Sequence, residues 1–249
     1  MTSDKKRSIG NQFWLRGPVD PRDCLTAFQP LGANGITQSL QNVNSRGPLN
    51  AVIGTTPTFS KTLGWTFDGS TTYLTVAASG AIASAVPLSM ICLFQAEDIT
   101  GTHALMSIAR STSASHNFTL RAAGATSGDP IGAISSAASA KMATTGTGFS
   151  ANKWCVGAAV FAGASLRKAY IVSEATRNRS FKHINWGDMG SETSSSTPAS
   201  LDYTYIGCTH DSSSTTNFLD GSIGACAFYS IALSDLQVMQ IALRMLELT

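Results

Sequence analysis

The stretch most informative about the fold reads Gly64-Trp65-Thr66-Phe67-Asp68-Gly69-Ser70-Thr71-Thr72-Tyr73-Leu74-Thr75-Val76. Aromatic and β-branched residues, which favour strands, stand on both sides of an Asp-Gly pair. Asp-Gly favours a turn because Gly accepts a positive φ and the Asp side chain hydrogen-bonds to its own backbone. The stretch therefore predicts two short strands, 65–67 and 73–76, joined by a turn at Asp68-Gly69.

Short apolar runs separated by Gly, Ser, Asn and Asp continue through most of the chain. Further strands are predicted at 88–94, 104–109, 117–122, 131–134, 154–161, 166–172, 203–208 and 222–229. Every second residue in 117–122 is apolar, which places one face toward a core and the other toward water. Trp65 and Trp154 have apolar neighbours and are predicted to belong to the core. The pattern is typical of an all-β, two-sheet antiparallel sandwich.

Several polar stretches, and one helix, complete the pattern. Surface loops are predicted at 111–115, 135–148, 190–200 and 211–216. Near the end of the chain, Ser234 followed by Gln237 forms a capping-box pattern, and apolar residues then recur at helical spacing. The sequence predicts a short C-terminal helix from Asp235 to about Glu247, either as a lid on the sandwich or as a docking helix for a partner.

The first sixty residues are less regular than the rest. Prolines interrupt their apolar runs, and proline is excluded from central strands because it has no N–H to donate. They stand at Pro18, Pro21, Pro30, Pro48 and Pro57. We predict an irregular, extended N-terminal arm over 1–60 and a sandwich domain over 61–249. Such an arm could wrap its own domain or lie along a neighbouring subunit.

Composition excludes several classes of partner. Charged residues make up 13% of the chain and the net charge is +2, against about 25% charged residues in typical soluble domains. The basic residues are scattered rather than grouped in a patch, so no nucleic-acid partner is expected. No apolar run is long enough to span a membrane, and residues 1–7 lack the apolar stretch of a secretory signal.

The cysteines favour buried thiols over a disulfide framework or a metal site. Their number is odd and their spacing is wide. Three of them, Cys92, Cys155 and Cys226, lie inside apolar runs, where free cysteine behaves as a small hydrophobic residue. This usage fits a reducing compartment.

The sequence carries no catalytic signature. Glycosidases need a pair of carboxylates, and none of the four Glu residues is followed two positions later by another acid. There is no G-x-S-x-G, no H-E-x-x-H and no P-loop, and the four histidines stand alone. We therefore expect a protein that is not an enzyme, with no catalytic residues.

Candidate ligand-binding residues are aromatic and acidic. Trp186 and Tyr203, together with Asp211 and nearby polar residues, are predicted to form a ligand-binding rim, and Tyr73 is a further exposed aromatic candidate. No cofactor is expected apart from Ca²⁺, which takes oxygen ligands from flexible loops. The acids that could supply them are Asp68, Asp202, Asp211 and Asp220. The alternative is that these acids form turns, and the sequence does not identify a metal site.

Segments in the order of the chain resemble the LamG-like, concanavalin A-like jelly-roll domains. The resemblance rests on F-D-G at 67–69, a long core strand at 88–94, N-x-W and an apolar strand at 152–161, F-x-x-G-x-I at 218–223 and A-L-S at 232–234. It covers about residues 60 to 249. It implies a jelly-roll sandwich whose members bind glycans or proteins, often with Ca²⁺ at loop acids, although the fold does not fix the ligand.

Residues 13–25, followed by this domain, also resemble phage-encoded LamG-like virion proteins. The resemblance implies a structural protein of a bacteriophage particle, made in the host cytoplasm and located in the virion. A capsid decoration (cement) protein that binds other virion proteins such as the major capsid protein, as a homo-oligomer, is favoured over a tail fibre, because no coiled-coil heptads accompany the domain. The alternative is a lectin-like adhesion module, for example of a tail fibre, that binds a host surface glycan through Trp186, Tyr203 and Asp211.

Overall fold

The computed structural model describes residues 19–44, 55–76, 82–112, 115–173, 189–211 and 214–249. Two antiparallel sheets pack face to face. The large sheet contains, in spatial order, β12 (Met189–Glu192), β11 (Leu166–Ser173), β10 (Cys155–Gly163), β5 (Leu88–Ala96), β16 (Asp220–Tyr229), β3 (Gly64–Asp68) and β2 (Thr58–Ser60), and β1 (Cys24–Phe28) also pairs with β16. The predicted all-β, two-sheet jelly-roll sandwich is confirmed.

The small sheet contains six strands. Their order is β4 (Leu74–Val76), β13 (Tyr203–Ile206), β6 (Thr102–Ala109), β7 (His116–Ala123), β8 (Pro130–Ala137) and β9 (Ser139–Gly148). A separate hairpin, β14 (Thr209–Asp211) and β15 (Ser214–Thr216), lies between β13 and β16 in the chain. Two helices are described, α1 (Ile36–Ser39) and α2 (Asp235–Leu246).

The Asp-Gly turn connects the two sheets rather than two strands of one hairpin. β3 belongs to the large sheet and β4 to the small one. Asp68 Oδ1 accepts hydrogen bonds from the backbone N–H groups of Ser70, Thr71 and Thr72, and Gly69 has a φ of +71°. The turn was predicted correctly, and the structure adds that it carries the chain from one layer of the sandwich to the other.

The central strands of the large sheet, β5, β10 and β16, are buried on both faces. On β5, Met90, Cys92 and Phe94 point between the sheets, whereas Ile91 and Leu93 belong to a second apolar cluster on the outer face. That outer cluster includes buried residues of α2 and Val19, which lies upstream of β1. Burial on both faces explains why β5 reads as a continuous apolar run instead of an alternating one.

The C-terminal helix is confirmed as a lid on the large sheet. It begins at Asp235 and ends at Leu246, and its buried residues pack on the outer cluster. Of the predicted N-terminal arm, residues Cys24–Phe28 and Thr58–Ser60 are strands of the large sheet, so the described part of this segment wraps its own domain. The domain boundary at residue 60 stays a prediction.

Three of the predicted loops contain strands. The stretch 135–148 was predicted as a loop, but it forms the end of β8 and all of β9, which are joined at Ala138 with a φ of +66°. The prediction was wrong because this strand is held by backbone hydrogen bonds to β8 at an edge of the sheet, where polar side chains face water. β12 and β15 likewise begin or end inside stretches predicted as loops.

The sequence predicted that Trp65, Trp154 and most of the cysteines are buried. Trp65 is buried, and its Nε1 donates to Ser39 Oγ at 2.7 Å. Trp154, which directly precedes β10, is only partly buried and packs against the outer apolar cluster, so it is not a fully buried core residue. All five cysteines are buried and unpaired, as predicted, and burial raises the pKa of Cys24 to about 12.

No helix in the described part of the chain is long and apolar enough to cross a membrane.

Candidate functional site

Two tyrosines of β13 point to the outer face of the small sheet. Thr204 is buried and Ile206 belongs to the core between the sheets, so the alternate residues Tyr203 and Tyr205 face the opposite side. Their rings stack, with centroids 5.8 Å apart and planes at 22°. Tyr203 is 37% exposed and Tyr205 only 5%. The exposed ring is therefore backed by a buried one.

The β14–β15 hairpin adds a third ring to this stack. His210 on β14 stacks on Tyr205, with ring centroids 6.1 Å apart and an angle of 23°. We call the series Tyr203, Tyr205 and His210 the aromatic ladder. Tyr73 directly precedes β4. Its ring centroid lies 6.0 Å from that of Tyr205 and 6.2 Å from that of Phe218, and both ring pairs are tilted. Tilted aromatic contacts of this kind fix ring orientation.

Side-chain and backbone contacts hold the hairpin in place. Ser107 Oγ donates to the carbonyl oxygen of Cys208 at 3.0 Å, and the buried His103 has its Nδ1 2.8 Å from the carbonyl oxygen of Phe218. Gly207 has a φ of +85°, and a Cβ there would lie 2.4 Å from Cε1 of Phe67. The chain can therefore leave β13 toward the hairpin only with glycine at this position.

Two kinds of polar group lie around the aromatic ladder: tyrosine hydroxyls that stay neutral, and buried polar atoms without a hydrogen-bond partner among the described residues. Burial, assisted by Cys208, raises the pKa of Tyr205 and of Tyr73, so both phenols are neutral across the physiological range. Several buried polar atoms have no hydrogen-bond partner among the described residues. Those on the hairpin and on the strand beside Tyr205 are His210 Nδ1, Thr209 Oγ1, Thr216 Oγ1 and Thr75 Oγ1. These atoms are shielded from solvent, so a ligand on the surface does not reach them without a local rearrangement.

The structure describes two of the three predicted ligand-binding residues. Tyr203 is the exposed end of the ladder. Asp211 follows His210, and its backbone pairs with Ser214 in the hairpin. Trp186 lies outside the described residues. The structure thus places Tyr203 and the strand of Asp211 next to the same aromatic stack.

Sequence reasoning missed Tyr205 and His210. The spacing of Tyr203 and Tyr205 on one strand was a usable signal, because alternate residues share a face. For His210 there was no local signal, because its position depends on the hairpin folding back over β13.

Three of the predicted calcium candidates are occupied by local contacts or face another acid. Both Asp68 oxygens accept hydrogen bonds from their own turn, as the turn-forming alternative predicted. Asp202 accepts from the backbone N–H and the hydroxyl of Ser111, both at 2.6 Å. Asp220 lies opposite Asp68 in the pairing of β16 with β3. In the described part of the chain, no three His, Cys, Asp or Glu residues come together to hold a metal ion.

The sequence matches no protein-family model and no curated protein. Solved structures with similar folds include domain 4 of AbnA, a GH43 extracellular arabinanase from Geobacillus stearothermophilus, in complex with arabinotriose. It aligns with a TM-score of 0.60 and 14% identity over 88% of this chain and 98% of that chain.

The CBM40 of the Ruminococcus gnavus IT-sialidase is also similar. It has a TM-score of 0.50 and 11% identity over 64% of this chain and 83% of that one. The same module bound to α2,6-sialyllactose has a TM-score of 0.50 and 10% identity, over 78% of this chain and 100% of that one. At these identities the similarity concerns the fold, so this chain shares its sandwich with domains that were solved with bound sugars.

Proposed function

We propose that this protein is a non-enzymatic carbohydrate-binding module that holds a glycan against the outer face of the small sheet. The observation that carries the proposal is the aromatic ladder, in which an exposed tyrosine ring is supported by two further stacked rings. The C–H face of a sugar ring packs on such a surface, while its hydroxyl groups bond to polar atoms nearby.

The arrangement is also preorganised for binding. Tyr205 is buried and held by Tyr73, and His210 is fixed by the hairpin. Tyrosine provides a large contact area with few rotatable bonds, so little side-chain entropy is lost on binding. A rigid aromatic surface of this kind supports recognition rather than catalysis.

The solved structures support the same proposal. Domains with this fold were solved with arabinotriose and with sialyllactose, which favours a glycan over a capsid protein as the ligand of this chain. The role in capsid decoration, the virion location and a homo-oligomeric state stay predictions. A tail-fibre adhesion module would use the glycan site proposed here.

A glycan array with the purified protein tests the proposal, followed by calorimetric titration of the best ligand. Tyr203→Ala should weaken binding by at least about tenfold, because truncating an aromatic anchor costs on the order of 2 kcal/mol. Leu236→Ala is the matched control, because Leu236 is 54% exposed on α2 over the other sheet. Absence of glycan binding, or equal binding by Tyr203→Ala, would contradict the proposal.

A further inference from the structure

Arg121 on β7 lies on the same face of the small sheet as the aromatic ladder. Its neighbours Leu120 and Ala122 belong to the core between the sheets, so Arg121 faces outward. The pairing runs from the exposed Tyr203 to Ala109 and then to Asn117, four residues before Arg121. Two strand spacings correspond to about 10 Å and four residues along a strand to about 13 Å. The guanidinium and the ladder can therefore contact different parts of one oligosaccharide.

Among the residues that the structure describes, the guanidinium of Arg121 forms no ion pair with an acid. Its Nη2 lies 2.9 Å from the sulfur of Met142, and its buried Nε has no hydrogen-bond partner in the same part of the chain. A thioether is a weak acceptor. The four ion pairs among the described residues involve other basic side chains. Burial lowers the pKa of Arg121, and no acid among the described residues raises it. A partly desolvated cation thus lies on this face without a counter-charge.

Such a cation is costly unless something pairs with it. Arg167 shows how the same chain compensates another buried arginine. It is 1% exposed, yet its Nη2 donates to the carbonyl oxygens of Ser194 at 2.6 Å and Ala164 at 3.2 Å, and it lies opposite Glu192 in the pairing of β11 with β12. Its Nε and Nη1 have no hydrogen-bond partner among the described residues. For Arg121, the described part of the chain shows no hydrogen bond to a carbonyl oxygen and no ion pair with a carboxylate.

We propose that Arg121 recognises an anionic group and that the glycan bound by this protein is an acidic one. A carboxylate or sulfate on one sugar accepts hydrogen bonds from the Nη1 N–H groups of Arg121, while another ring of the same glycan packs on Tyr203. The planar guanidinium fork suits both anions. The inference rests on the proposed glycan-binding function and adds the class of ligand.

The test is an array of matched neutral, sialylated, uronate-containing and sulfated glycans. Acidic glycans should bind at least tenfold more tightly than their neutral counterparts, and Arg121→Met should reduce their affinity by about 10- to 100-fold. Added NaCl should weaken acidic-glycan binding more than neutral-glycan binding. Arg244→Met is the matched control, because it removes an equal charge from an exposed site on α2.

A stability measurement separates recognition from a structural role. Removing an unpaired, partly buried charge should leave the melting temperature of Arg121→Met unchanged or higher. Arg121→Lys keeps the charge but not the fork, so its affinity should be intermediate. A lower melting temperature in both variants, with unchanged preference for acidic glycans, would show that Arg121 is structural.

The outcomes distinguish the two proposals. If no glycan of any class binds, the proposed function is wrong and the acidic ligand with it. If neutral glycans bind as tightly as acidic ones, or if Arg121→Met keeps the preference for acidic glycans, only the role of Arg121 is wrong. Selective binding of sulfated or of carboxylated glycans would support it and identify the anion.

Discussion

Asp68 shows how much of a turn one short side chain can organise. Its Oδ1 accepts from successive backbone N–H groups of the turn, and its Oδ2 accepts from the hydroxyl of Thr71 at 2.6 Å. Desolvation acts to raise the pKa of Asp68, but these hydrogen bonds outweigh it and hold the pKa far below the usual value. The charged form is therefore part of the native turn.

This lowered pKa makes the turn sensitive to acid. The stabilisation is complete above the ordinary Asp pKa of about 4 and is lost as the pH falls toward the lower native pKa. Asp68→Asn keeps an acceptor oxygen but cannot ionise. We expect the wild type to exceed this variant in free energy of unfolding by a constant amount between pH 5 and 7, and the difference to shrink below pH 4, as measured by urea denaturation.

Other carboxylates with lowered pKa values are present in both proteins. They are Asp98, Glu192 and Asp235, and their acid sensitivity cancels in the difference between wild type and variant. If the free energies of unfolding of wild type and Asp68→Asn differ by the same amount down to pH 2, the charge of Asp68 does not stabilise the turn.

The C-terminal helix shows what an element needs in order to form and dock. Ser234 Oγ accepts from the N–H of Gln237 at 3.3 Å, and the Gln237 side chain accepts from the N–H of Ser234 at 2.8 Å. The first turn is also tied to the large sheet, since Asp235 accepts from Lys168 at 2.9 Å and from the hydroxyl of Tyr170 at 2.8 Å. Cap and sheet contacts together fix where the helix begins.

Ser234→Ala should lower the free energy of unfolding by about 1 kcal/mol, because the N–H of Gln237 loses its acceptor, Ser234 Oγ. Ser234→Asp, which restores an acceptor, should recover most of the loss. Chemical denaturation of the three proteins measures the effect. A cost within about 0.5 kcal/mol, the range of a neutral surface substitution, would mean that the sheet contacts of Asp235 alone hold the helix.

Elements differ in how well the sequence predicted them. The helix was predicted to within one residue at its C-terminal end, because capping and 3.6-residue spacing are local properties. β9 was missed because an edge strand rich in Thr, Ala and Gly has little apolar alternation, and its partner β8 provides the hydrogen bonds. Strand pairing depends on the partner as much as on the strand itself.

At the scale of the whole molecule, two apolar cores share the same strands. β5, β10 and β16 each contribute residues to the core between the sheets and to the cluster beneath α2. The helix layer therefore cannot detach without exposing the outer face of the large sheet to water. This arrangement predicts that both layers unfold together.

Leu105→Ala removes a side chain from the core between the sheets, and Ile241→Ala removes one from beneath the helix. Each should cost about 2–5 kcal/mol, and the double variant should lose the sum to within about 0.5 kcal/mol, provided that the sites are independent. Near- and far-ultraviolet circular dichroism should report one coincident transition in every variant. A separate, earlier transition in Ile241→Ala would mean that the helix layer unfolds independently.

The sequence alone determined the local features of this protein: the alternating strands, the Asp68-Gly69 turn, the capped helix and the buried thiols. Each follows from contacts between residues close in the chain or from the burial preference of a single residue. The tertiary structure decided which residues meet on the outer face of the small sheet. His210 joins the stacked Tyr203 and Tyr205 only because a hairpin folds back over β13, and Arg121 shares their face only because β6 pairs with both β13 and β7. These pairings join residues far apart in the chain, and no local pattern encodes which strands become neighbours.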